Sequence, residues 1–122
     1  MGMNKSILIV DDDDLTIEAL SQRLKTEQFD LICANNAFKA LELVMAKTKI
    51  DLIVMDLMLP KLSGLKLLKI LNIHYPSNVP VIFISSLNNT EIILSAMEKG
   101  AKDFFSKPLN FDDLIARIKL LI

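Results

Sequence analysis

The chain has one cysteine, Cys33, so an internal disulfide is excluded, which suits a reducing cytosol and a cytoplasmic protein. It has no basic surplus: 14 Lys and Arg face 15 Asp and Glu, for a formal net charge of −1. That balance argues against a nucleic-acid or membrane-surface binder, whose footprint is basic. No apolar run comes near the ~20 residues needed to span a bilayer. Met1 to Lys5 lead through a short apolar run into acid, which is not the pattern of a signal peptide. Linkers and low-complexity tracts are missing, and 122 residues leave room for only one domain. With 52% hydrophobic residues there is ample core material, so disorder is excluded. Residues 1–4 read as an N-terminal extension, Gly2 being compatible with a cloning remnant, and residues 5–122 as the domain.

What is present is a rhythm. Apolar runs at 7–10, 31–34, 52–55, 81–84 and 104–105 start roughly 20 to 30 residues apart, the interval of a strand, a turn, a helix and a turn. The runs are continuous rather than alternating, as expected for parallel strands buried on both faces. Between them lie amphipathic stripes: Ile17, Leu20 and Leu24; Ala37, Ala40, Leu41, Val44 and Met45; Leu67, Leu68 and Leu71; Ile92, Ile93, Ala96 and Met97; and Phe111, Leu114, Ile115 and Ile118. Asn35 or Asn36, Asn89 or Thr90, and Asn110 supply caps, Ser63-Gly64 opens the third helix, and Gly100 stops the fourth. Asp112 and Asp113 suit the positive end of the last helix. The pattern is (βα) five times, an α/β fold with a parallel five-stranded sheet between two helical layers.

The polar residues collect where strands end. The first strand runs into Asp11 and Asp12, the third ends in Asp56, the fourth in Ser85, and the fifth in Lys107-Pro108. In an open α/β sheet these ends share one edge, where ligands bind. Clustered carboxylates repel, so without a cation at least one pKa should rise. A magnesium ion, with manganese as an alternative, would relieve the conflict through oxygen ligands. Lys107 adds positive charge, and the ensemble suits a phosphoryl group, whose transfer depends on positioning and neutralisation.

VDDDD, the Asp56 of DLIVMDLMLPKLSG, the Ser85 after VIFIS, and Lys107-Pro108 resemble, in this order and spacing, the response-regulator receiver domain of two-component signalling. The resemblance spans nearly the whole chain. It implies the flavodoxin-like strand order 2-1-3-4-5. It implies Asp56 as acceptor of a phosphoryl group from a sensor histidine kinase or phosphotransfer protein. Asp12 would be the direct magnesium ligand, Asp11 a ligand mostly through water, and the Met58 backbone carbonyl the third protein ligand. Lys107 would pair with the acceptor and then the phosphoryl oxygens, aimed by a cis peptide bond at Pro108. Ser85 would bind the phosphoryl group, and Phe104 would turn inward as Ser85 moves. This switch would change the face built by the fourth helix, fifth strand and fifth helix, for an output domain or effector or for a homodimer. The implied protein is a signalling domain rather than an enzyme, catalysing its own phosphotransfer and dephosphorylation. Met58 and Leu87, bulky and apolar beside the site, are expected to hinder the hydrolytic water and prolong the phosphorylated state.

Plainer readings hold for other residues. Asp13 and Asp14 are helix-start charges, one of them an N-cap. His74, the only histidine, is a surface residue at the end of the third helix, Cys33 a small core hydrophobe, and the methionines mostly core filling. A haloacid-dehalogenase-like phosphatase would need an acid where Met58 stands. A flavodoxin-type FMN carrier would not place four aspartates in its phosphate loop. The remaining alternative is a pseudo-receiver that binds without being phosphorylated.

Overall fold

A computed structural model of the chain describes residues 4–76, 78–87 and 89–122. Five strands alternate with five helices: Ser6–Val10 (β1), Asp14–Thr26 (α1), Asp30–Ala34 (β2), Ala37–Met45 (α2), Leu52–Asp56 (β3), Gly64–His74 (α3), Val81–Ser85 (β4), Thr90–Glu98 (α4), Asp103–Ser106 (β5) and Phe111–Leu121 (α5). All strands are parallel, in the order β2-β1-β3-β4-β5. This is the expected flavodoxin-like three-layer sandwich. Of the expected N-terminal extension, residues 1–3 lie outside the described residues; the carbonyl of Asn4 accepts from Lys49.

Side-chain alternation along each strand divides the core in two. Ile7, Ile9, Leu52, Val54, Ile82 and Ile84 face α1 and α5, where Leu20, Leu24, Leu114 and Ile118 meet them. Leu8, Val10, Ile53, Met55, Val81 and Phe83 face α2, α3 and α4, against Ala37, Ala40, Leu67, Leu68 and Ala96. β1, β3 and β4 are buried throughout, and each fully buried Leu or Ile contributes roughly 1.5–3 kcal/mol.

The edge strands depart from expectation. β2 and β5 have one neighbour each, so they are not buried on both faces. Cys33 lies on β2 and is exposed, against the expected core position; its Sγ is 3.8 Å from Ser21 Oγ. Among the described methionines only Met55 is core. Met45, Met58 and Met97 are 40–60% exposed; Met45 is the last residue of α2 and Met58 sits in a loop. His74 is exposed at the end of α3, as expected.

Asp13, Asn36, Ser63, Asn89 and Asn110 cap the five helices, each accepting a backbone N–H of the first turn. Gly100 ends α4 with φ of 104°, a left-handed conformation that L side chains rarely adopt, and its N–H reaches the Met97 carbonyl. The helix ends therefore fall where the short polar residues and this glycine place them.

Candidate functional site

Because every strand runs the same way, Asp11, Asp56, Ser85 and Lys107 all emerge at the carboxyl edge of the sheet. β1 and β3 are hydrogen-bonded neighbours, which brings Asp11 beside Asp56. The burial that fixes the strands carries on into the polar residues: Asp11 and Ser85 are 0% exposed and Asp56 is 5% exposed. Burying such groups is costly unless they are hydrogen-bonded.

They are held by a recurrent device. The N–H of Asp13 donates to Asp11 Oδ1 at 2.9 Å, that of Met58 to Asp56 Oδ1 at 2.9 Å, and that of Leu87 to Ser85 Oγ at 3.0 Å. In each case the loop leaving the strand turns back two residues later and pins the side chain at the strand end. Lys107 closes the group. Its Nζ lies 2.9 Å from Asp11 Oδ2 and 3.1 Å from Asp56 Oδ2. The Lys107 N–H donates to the Ser85 carbonyl at 2.9 Å, and the Lys107–Pro108 peptide bond is cis.

Burial pushes the Asp11 carboxyl above its ordinary value, although the Asp13 N–H and Lys107 pull it down and the neighbouring Asp56 pushes it further up. Burial alone would lower the Lys107 ammonium; its hydrogen bonds to Asp11 and Asp56 outweigh that and hold it above its ordinary value. The site therefore carries more negative charge than one lysine offsets. One oxygen from each of Asp11, Asp12 and Asp56 can be chosen so that all lie within 4.8 Å of one another. Asp12 is exposed, so the cluster opens to solvent on that side.

Other residues named from the sequence lie around this group rather than in it. The Met58 side chain is 54% exposed and that of Leu87 39% exposed. Phe104 is half-buried on β5, paired in register with Phe83 and packed on the core beneath α2, α3 and α4. Two features escaped the sequence reading. One is the bond from Lys107 to Asp11 as well as to Asp56. The other is Gly64, where a Cβ would lie 2.6 Å from the Asp56 carbonyl oxygen and 2.9 Å from the Phe83 ring. Ser63-Gly64 was legible as a helix start; that the helix abuts Asp56 was not.

The response regulator receiver domain model matches residues 7–119. The chain belongs to that family. This receiver is 40% identical over 120 residues to the transcriptional regulatory protein CpxR homolog of Haemophilus influenzae, covering 98% of the chain and 51% of the relative. It is 38% identical over 115 residues to a cyclic di-GMP phosphodiesterase of Thermotoga maritima, covering 94% of the chain but 30% of the relative. The receiver domain of Francisella response regulator 1452 has 34% identity and a TM-score of 0.90, with 97% of this chain and 96% of that one covered. The chain thus spans about half or less of these two curated relatives and nearly all of an isolated receiver. It is a receiver domain of the two-component response regulators, and among the described residues no helix is long and apolar enough to cross a membrane.

Proposed function

We propose that Asp56 of this receiver accepts a phosphoryl group from a phosphohistidine of a sensor kinase or phosphotransfer protein. The observation that carries this reading is the Lys107 ammonium bridging the buried Asp11 and Asp56 carboxylates. An Asp56 oxygen bonds to phosphorus as the P–N bond to the histidine breaks, and the imidazole leaves with a proton. Each Asp56 oxygen accepts one hydrogen bond, from Met58 N–H or Lys107, and so keeps a lone pair for attack. Lys107 then turns its charge to the phosphoryl oxygens, which carry roughly −1.5 to −2.

The donor set fits a hard divalent cation: carboxylate oxygens within 4.8 Å of one another, with Asp11 held above its ordinary pKa. Asp12 and Asp56 would hold magnesium directly, Asp11 mostly through water, and Met58 through its backbone carbonyl; manganese has the same chemistry. When bound, the ion neutralises the negative charge that gathers on the transferring group.

The output is a population shift. Ser85 exchanges its Leu87 N–H for the phosphoryl group, Phe104 turns inward, and the α4-β5-α5 face changes its preference for an output domain, an effector or a second copy. The named relatives include a transcriptional regulator and a phosphodiesterase, so the effector differs among proteins that share this domain. With acceptor, acid pair, hydroxyl and lysine gathered at one edge, no observation favours the binding-only alternative.

Intact mass after incubation with acetyl phosphate tests the reading. One phosphoryl group is expected with magnesium, none without it and none on Asp56→Asn. Unmodified wild type in the presence of magnesium would overturn it. Exposed Met58 is expected to shield the phosphoryl group from water, so Met58→Asn shortens its lifetime by about tenfold, equivalent to roughly 1.4 kcal/mol of barrier. An unchanged decay rate would remove that role.

A further inference from the structure

At the starts of β3 and β4, on the edge of the sheet opposite Asp56 and Ser85, the fold leaves a cavity of about 310 Å³. Ile53 and Val81 line it from the sheet, Leu68 and Leu71 from the sheet-facing side of α3, and Val44 from α2. Exposed Asn72 and Pro76 mark its mouth. Protein interiors are packed to crystal density and hold few voids larger than a water. Atoms that line an empty apolar space forfeit dispersion contacts on one side. This one has about the volume of ten waters, at roughly 30 Å³ each in the liquid, and falls at the lower end of the range for small-molecule pockets.

Its lining is chemically selective. Among the described residues no Asp, Glu, Lys, Arg or His contributes to it. Two other cavities differ in this respect: one touches Asp13 and Lys107, the other Lys39, Glu42 and Lys61. A charged ligand buried here would have no counter-ion, which is costly. The polar atoms come from Thr48, Asn72 and Tyr75. Asn72 Nδ2 donates to the Lys99 carbonyl at 2.9 Å, at the end of α4. That bond holds the carboxamide in place and leaves its Oδ1 as an acceptor. The Tyr75 N–H donates to the Leu71 carbonyl, but the half-buried Tyr75 hydroxyl has no partner among the described residues. An acceptor and a hydroxyl three residues apart thus border a mostly apolar recess.

We propose that this cavity binds a small uncharged organic molecule, a compact apolar body of about a dozen non-hydrogen atoms carrying one hydroxyl. The body lies against Ile53, Leu71 and Val81. The hydroxyl donates to Asn72 Oδ1 and accepts from the Tyr75 hydroxyl, so the ligand satisfies both groups at once. A hydroxyl fits because it is donor and acceptor in one atom. Occupancy is felt at the end of α4, since Asn72 joins the cavity wall to the Lys99 carbonyl. The acidic edge stays open, and the inference is independent of phosphoryl transfer to Asp56.

The test is titration of the 15N-labelled chain with 2-naphthol, a neutral two-ring compound with one hydroxyl and a size suited to the cavity. Saturable shift changes are expected at Thr48, Leu71, Asn72, Tyr75 and Val81 and at Lys99, with half-saturation below about 1 mM. The charged analogue 2-naphthoate keeps the rings and should bind at least tenfold more weakly. Val44→Phe fills the recess and should abolish the shifts. Tyr75→Phe keeps the ring, removes only the hydroxyl, and should weaken binding at least threefold. The proposal falls if the wild type shows no saturable shifts or shows them elsewhere. It falls equally if 2-naphthoate binds as tightly as 2-naphthol, or if folded Val44→Phe or Tyr75→Phe binds as the wild type does.

Discussion

At the carboxyl edge of the sheet Asp11 accepts the Asp13 N–H at 2.9 Å and Lys107 at 2.9 Å; at the amino edge Asp51 accepts the Ser6 N–H at 2.8 Å and Lys49 at 3.3 Å. The partners are alike, yet the two carboxyls shift in opposite directions. The Ser6 N–H holds Asp51 below its ordinary value, and the small cost of burial at this partly open position does not cancel it. Asp11 has no exposure and a second carboxylate beside it, so burial prevails and the value rises. The same bonds thus anchor the fold at one end and at the other only partly offset the cost of burying a carboxylate. Active sites characteristically carry such local strain against stability, which a bound cation or an added phosphoryl group can use.

The largest effect that would break this comparison is at Gly64. In Gly64→Ala the new methyl meets the Asp56 carbonyl oxygen at 2.6 Å, and backbone on one side must yield. A loss of about 3 kcal/mol in urea unfolding is expected, together with loss of acetyl-phosphate labelling. Retention of both would show that the loop relaxes freely.

Asp51→Ala comes next, costing about 2 kcal/mol near neutral pH because the buried Ser6 N–H loses a charged acceptor. The sign with pH follows from its lowered folded value. The stabilisation is complete above the unfolded carboxylate pKa and is lost as pH falls through the folded one. The gap between wild type and variant should therefore close in acid. A gap independent of pH would show that the charge is irrelevant.

Smallest is Asp11→Asn, measured in EDTA. Removing a buried charge next to Asp56 should raise stability by roughly 1 kcal/mol, or about 3–5 °C in melting temperature. A lower melting temperature would mean that the Lys107 pairing outweighs the cost of burial and the repulsion, and would erase the contrast with Asp51.

The three central strands were legible because parallel strands covered on both faces require unbroken apolar runs, the two edge strands because apolar runs recur at the same interval, and the helix ends because Asn, Ser and Gly satisfy them locally. Strand direction then sufficed to collect Asp11, Asp12, Asp56, Ser85 and Lys107 at one edge. Cys33 was misread because an isolated apolar run does not reveal whether its strand lies at the centre or at the margin of the sheet. Met45 was misread because helical periodicity places a residue on a face but not within reach of a neighbour. The contacts of Gly64 and the double pairing of Lys107 join residues 8 and 96 positions apart in sequence, respectively.

By itself, then, the sequence determined the succession of strands and helices, their caps and the chemical types at each strand end, since these follow from periodicity and local hydrogen bonding. Only the tertiary structure decided which carboxylate bears the cost of burial, which strands are edges, and which carboxylates Lys107 bridges. Those outcomes depend on desolvation and proximity, which exist only once distant segments have packed together.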